Sequence, residues 1–135
     1  MTSKVVYKGH LRTEAEHLQS GSRMTTDAPI DNHGKGEAFS PTDTVATALA
    51  TCMVTMMGIK AEEIGVKLEG SRAEVTKTMA ESPRRISKIE VNLYFPLVYS
   101  EKQTKILEHT ARTCPVLQSL HPDIEKIISF KYSSE

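Results

Sequence analysis

Two cysteines are the residues of this chain with the clearest capacity for covalent chemistry. They stand at positions 52 and 114 of the 135 residues. A thiolate is a strong nucleophile, and two thiols that meet can be oxidised to a disulfide. A disulfide framework of the kind found in small secreted proteins needs more cysteines than two. Two interpretations stay open from the residues alone: the thiols form a redox site, or each is a small apolar side chain packed in a core.

Cys52 lies inside a segment that is predicted to be a long helix. Ser40 suits the N-cap, Pro41 suits the first helical position, and Asp43 can close a capping box and complement the helix dipole. From position 44 to position 59 no residue is charged, so the helix is expected to be the central, largely buried one. The predicted core-facing stripe contains Val45, Leu49, Cys52, Met56 and Ile59.

Cys114 has a different setting, because it immediately precedes Pro115 at the predicted start of a short helix. A helix N-terminus stabilises a thiolate, so Cys114 is predicted to ionise more readily than Cys52. Cys52, in an apolar mid-helix position, needs an arginine or histidine from elsewhere in the fold before it can attack a substrate. That cation in turn needs a carboxylate to fix its orientation.

The remaining elements follow from alternation and turn signals. The predicted strands are a hairpin over 4–18 that turns near Gly9, a short strand within 21–27, a hairpin of 66–79 with 86–95, and a last strand over 124–132. Residues 27–39 form a loop, and helices are expected over 100–113 and from Cys114 to 120. This order predicts one domain, 1–135, of the α+β class.

Composition excludes several other classes of function. The formal net charge is zero, with 17 basic and 17 acidic side chains, which gives no electrostatic basis for binding nucleic acid. We expect no signal peptide, because the N-terminus lacks the apolar core of one. We also expect no membrane helix, since the uncharged run over 44–59 is shorter than the roughly 20 residues that a bilayer requires. The five histidines show no metal-ligand spacing, and Gly34 and Gly36 do not form a dinucleotide fingerprint. A cytoplasmic protein without metal or cofactor is expected.

Three features together resemble the osmotically inducible protein C and organic hydroperoxide resistance (OsmC/Ohr) family. They are the Ser40-Pro41 helix start, the run of small residues over 46–51 that ends at Cys52, and the later Cys114-Pro115-Val116. The resemblance extends over nearly the whole chain in length and in the order of elements. It implies an OsmC-like fold in which antiparallel sheets wrap around a long central helix of an intertwined homodimer.

The resemblance also implies an activity. Members of this kind are thiol-dependent peroxidases that reduce organic hydroperoxides in the response to oxidative stress. Cys52 would attack the peroxide and become a sulfenic acid, and Cys114 would resolve it as an internal disulfide. A dithiol reductant would then restore both thiols, and an apolar pocket at the subunit interface would select organic hydroperoxides.

The chain departs from the family pattern at the acid that orients the activating arginine. Peroxidase members commonly have a glutamate directly after the helix-start proline, where this chain has Thr42, with Asp43 one position later. Arg12 and Arg23 are both candidates for the activating arginine, and Arg12 is preferred. The alternative function is a noncatalytic OsmC-like dimer that holds a small apolar ligand between its subunits.

Overall fold

A computed structural model describes residues 1–133 of the chain. Its α+β class agrees with the prediction, and its elements fall into two compact units. The first unit is Met1–Val45 and the second begins at Ala46. Each unit is described by itself.

The first unit contains a three-stranded antiparallel sheet. Its strands are β1 (Ser3–Gly9), β2 (Arg12–His17) and β3 (Arg23–Asp27), in that order across the sheet. Gly9 takes a φ of 85° at the β1–β2 turn, a conformation that glycine adopts without steric cost. The predicted first hairpin and third strand are confirmed. The register of β2 and β3 places Arg12 directly opposite Asp27.

A loop over 28–39, with one 3-10 turn at Ile30–Asn32, leads to helix α1 (Pro41–Ile64). The start of α1 is the predicted capping box. The Ser40 backbone N–H donates to the Asp43 carboxylate at 3.0 Å, and the Asp43 N–H donates to Ser40 Oγ at 3.0 Å. Two N–H groups that a helix start would leave unpaired are thereby satisfied.

The second unit contains a mixed sheet. Strands β4 (Arg72–Ala80) and β5 (Arg85–Phe95) are antiparallel, whereas β6 (Glu125–Tyr132) runs parallel to β5. The predicted antiparallel pairing is confirmed for β4 and β5, and β6 adds a parallel strand that the prediction did not include. Two helices, α2 (Glu101–Arg112) and α3 (Pro115–Ser119), connect β5 to β6 and carry the chain back to the end at which β5 starts. A parallel pair needs a crossover connection of this kind.

Most predicted boundaries in the second unit are confirmed, and one is wrong. Helix α2 has the predicted N-cap Ser100, which forms a capping box with Gln103. Strand β4, however, begins at Arg72 rather than at Val66. The segment before it contains a turn in which the Ser71 N–H donates to the Leu68 carbonyl, and Gly70 has a φ of 89°. Apolar and polar residues also alternate across this turn, and for that reason the sequence predicted a longer strand.

The buried face of α1 differs from the predicted stripe. Leu49, Met53 and Met57 are fully buried, in one core with residues of β5 and α2. Two members of the predicted stripe are instead exposed, Val45 by 40% and Ile59 by 52%. Because no residue over 44–59 is charged, residue spacing alone could not select the face that meets the sheet.

Helix α1 is also longer than its uncharged run. At 24 residues, it is the one helix among residues 1–133 with the length and hydropathy that a membrane crossing requires. The prediction that this segment is too short for a bilayer is thus wrong as regards length. The buried face of α1 packs into the core of the second unit, as expected of the central helix of a globular domain.

Candidate functional site

The two cysteines meet in the second unit. Cys52 is half-buried on α1, and Cys114 is completely buried at the N-cap of α3. Both are free thiols, and the side chain of Cys52 interacts with the Cys114 thiol. Cys114 is held in place by two backbone bonds, one from its own N–H to the Ala111 carbonyl and one from the Gln118 N–H to its carbonyl. The structure thus brings together the two thiols predicted to react with each other.

The pKa of Cys114 is raised above its ordinary value. Burial of the thiol is the largest cause, and the contact with Cys52 acts in the same direction. The backbone N–H groups of Leu117 and Val116 lower the pKa, as predicted for a helix start, but their effect is smaller. The prediction that Cys114 ionises readily is therefore wrong in its net direction. Cys114 is a protonated thiol at neutral pH.

A cluster of charged residues lies in the first unit. Arg12 Nε and Nη2 donate to the two carboxylate oxygens of Asp27, each at 2.7 Å, which is the bidentate geometry of a strong pair. Asp27 also accepts a hydrogen bond from the Glu37 N–H at 3.1 Å. The pair raises the pKa of Arg12, and the hydrogen bond from Arg12 is the main reason that the pKa of Asp27 is lowered.

The other predicted charged residues have different partners. Arg23 pairs with Glu14 at 3.0 Å on the exposed surface of the sheet. Asp43 accepts from the Ser40 N–H in the capping box, whereas the hydrogen bonds of Arg12 go to Asp27 and Glu37. Of the two candidate arginines, Arg12 is the one paired with a buried carboxylate.

Asp27 is the residue of this cluster that sequence reasoning missed. A signal for it was present, because the predicted hairpin and third strand form neighbouring antiparallel strands. Their register places the first residue of β2 opposite the last residue of β3. Opposite charges at facing positions of two strands attract each other.

Within residues 1–133, no group of three or more His, Cys, Asp or Glu side chains is arranged to hold a metal ion.

The fold and the thiol pair define a class of protein. One thiol lies on a long central helix, a second lies at a Cys-Pro helix start, and both belong to an α+β chain. A model of the OsmC-like protein family matches residues 34–128. The chain belongs to the OsmC-like family, as the resemblance predicted. No curated protein matches the chain.

Solved structures agree with this assignment. A crystal structure from Psychrobacter arcticus, described as a candidate osmotic stress induced and detoxification response protein, is 52% identical. It aligns over 96% of this chain and 95% of its own, with a TM-score of 0.93. An organic hydroperoxide resistance protein from Legionella pneumophila is 14% identical, covers 98% and 97%, and has a TM-score of 0.71. Another, from Elizabethkingia anophelis, is 12% identical, covers 100% and 97%, and has a TM-score of 0.72.

Proposed function

We propose that this protein is a thiol-dependent peroxidase that reduces organic hydroperoxides. The observation that carries the proposal is the contact between the half-buried Cys52 thiol and the fully buried Cys114 thiol. Family membership supports a peroxide-related role. The names of the Legionella and Elizabethkingia proteins point the same way, although at 14% and 12% identity these structures establish the fold alone.

The proposed reaction has three balanced steps. The Cys52 thiolate attacks the distal oxygen of the hydroperoxide, the O–O bond breaks, and the alkoxide leaves and takes up a proton as the alcohol. The Cys114 sulfur then attacks the Cys52 sulfenic acid, forming the S–S bond and releasing water, with the Cys114 proton going to the departing oxygen. A dithiol reductant returns two electrons and two protons, which restores both thiols and leaves the reductant as a disulfide.

The raised pKa of Cys114 suits the resolving role. A thiol that stays protonated at neutral pH does not compete with Cys52 as the first nucleophile, because the thiolate is the attacking species. Its contact with Cys52 also provides the proton that the departing hydroxide needs. We assign the first attack to Cys52 and the resolution to Cys114.

Arg12 is the proposed activating cation, and Asp43 a proposed supporting residue. A guanidinium stabilises a thiolate and the negative charge that develops on the leaving oxygen. Asp43 acts through the capping box, because it fixes the start of the helix that carries Cys52.

The working form is proposed to be a homodimer in the cytoplasm. Helix α1 exposes Val45 and Ile59, and the first sheet exposes Val5, Tyr7 and Met24. Apolar surface on both elements favours burial against a second copy. Sedimentation velocity tests this proposal: the wild type should sediment as a dimer, and Ile59→Lys should shift it toward monomer. A monomeric wild type at micromolar concentration would rule the dimer out.

Turnover is the direct test of the activity. With dithiothreitol as the dithiol, consumption of cumene hydroperoxide should proceed catalytically and exceed that of hydrogen peroxide. Cys52→Ser should abolish it, while Ser119→Ala, which leaves both thiols in place, is the matched control. Absence of turnover in the wild type would favour the alternative of a noncatalytic dimer that holds a small apolar ligand.

A further inference from the structure

We propose that Asp27 is the positioning residue for Arg12, and that Glu37 weakens the attraction of the same guanidinium for the reacting anion. This inference rests on the proposed function, in which Arg12 activates Cys52. It assigns the orienting carboxylate to the end of β3, in place of the helix-start position that Thr42 and Asp43 occupy.

Asp27 has the properties that a positioning carboxylate requires. Its side chain is 3% exposed, whereas that of Arg12 is 41% exposed. Both of its oxygens accept from Arg12, and one also accepts the Glu37 N–H. Its own backbone N–H is bonded to the Phe39 carbonyl at 3.0 Å. A carboxylate fixed by its backbone and its side chain holds a guanidinium in one orientation.

The way in which Asp27 binds Arg12 leaves part of the guanidinium available. Arginine has five N–H donors. Asp27 takes the edge formed by Nε and Nη2. Within residues 1–133, the hydrogen bonds of Arg12 involve Nε and Nη2, and none involves Nη1. Both Nη1 donors are therefore available to an anion such as a thiolate or a leaving alkoxide.

Glu37 holds the Arg12 guanidinium less firmly than Asp27 does. Its carboxylate is 61% exposed, and it reaches Arg12 Nη2 at 3.4 Å, beyond the usual range of a strong bond. It lies in the loop over 28–39, and Lys35 of the same loop also acts electrostatically on Asp27. The negative charge of Glu37 therefore offsets part of the attraction that Arg12 has for another anion. Withdrawal of Glu37 would increase that attraction.

These roles predict opposite effects of two isosteric substitutions. In a Cys114→Ser background, Asp27→Asn should slow the oxidation of Cys52 by cumene hydroperoxide by about tenfold or more, because misplacement of a catalytic group has effects of this size. Glu37→Gln should make the reaction faster than in the parent. A Glu37→Gln rate reduced as far as that of Asp27→Asn would overturn the assignment.

A second readout separates positioning from stability. The pH profile of Cys52 alkylation by iodoacetamide needs no peroxide, and its midpoint should move to higher pH in Asp27→Asn. In this unit Arg12 is affected by Asp27 and Glu37, and Asp27 is affected by Arg12 and Lys35. Glu14→Gln is the matched control, since it removes the carboxylate of the Arg23 pair on the same sheet. A shift in Glu14→Gln instead would overturn the inference in favour of Arg23.

The inference and the proposed function can fail separately. If Arg12→Ala slows alkylation and Asp27→Asn does not, the inference is wrong and Arg12 keeps its role. If neither changes the profile and the wild type ignores hydroperoxide, the proposed function itself is wrong. Should Asp27→Asn not fold, Arg12→Lys replaces it, because lysine keeps the charge but cannot form the bidentate pair. Arg12→Lys should reproduce the tenfold loss of rate. A wild-type rate in this variant would show that Asp27 does not act by positioning Arg12.

Discussion

The capping box at the start of α1 should contribute measurably to stability. Ser40 and Asp43 exchange reciprocal hydrogen bonds, each at 3.0 Å, and Ser40 is 1% exposed. Ser40→Ala should lower the free energy of unfolding by about 1 kcal/mol, the usual cost of losing such a cap. Asp43→Ala should also cost about 1 kcal/mol, because it removes one hydrogen bond and a favourable charge at the helix N-terminus.

The two losses should not be additive, since both residues belong to one motif. We expect the double variant to lose about 1.5 kcal/mol, which leaves a coupling of about 0.5 kcal/mol. Urea unfolding at one fixed protein concentration measures these values, and each single variant should lower the melting temperature by about 3 to 5 °C. Ser119→Ala, on the surface of α3, serves as the control. An Asp43→Ala variant as stable as the wild type would refute the assignment of Asp43 to the cap.

Three further predictions concern the core, the ion pair and the thiols. Leu49→Ala should lower the free energy of unfolding by about 2 to 5 kcal/mol in urea titrations, because Leu49 is fully buried. Since the pKa of Asp27 is lowered, its ion pair stabilises the fold above the unfolded-state pKa near 3.9. That contribution is lost as the pH falls through the folded-state pKa, so acid unfolding below about pH 4 should be steeper in the wild type than in Asp27→Asn. Iodoacetamide at pH 8, followed by peptide mass mapping, should label Cys52 well before the buried, protonated Cys114, and equal labelling of the native protein would contradict this.

Local signals in the sequence predicted the start of α1. They also predicted that Cys52 lies within this helix and that Cys114 lies at the start of another. Ser40, Pro41 and Asp43 specify a helix start through bonds to their own neighbours, so no distant contact is needed. The same holds for the Ser100 cap of α2 and for Pro115 at the first position of α3. The resemblance to the OsmC/Ohr family added the expectation that Cys52 and Cys114 act together. Their side chains interact, and their joint reaction stays a prediction.

Features that depend on tertiary structure were not predictable in the same way. The net ionisation of Cys114 depends on burial by the rest of the second unit, which outweighs the local helix start. Likewise, Leu49 and Ile59 both belong to the predicted core-facing stripe of α1, yet Leu49 is fully buried and Ile59 is 52% exposed. The parallel direction of β6 follows from the path of α2 and α3, which alternation within a strand does not encode.

Intact mass spectrometry after one equivalent of cumene hydroperoxide tests the central claim most directly. The fully reduced wild type should lose two hydrogens within seconds, as Cys52 and Cys114 form a disulfide. Cys114→Ser should gain one oxygen as the Cys52 sulfenic acid, and Cys52→Ser should show no fast reaction. A wild type that remains unmodified over minutes, while both thiols are still alkylated after unfolding, would contradict the peroxidase account.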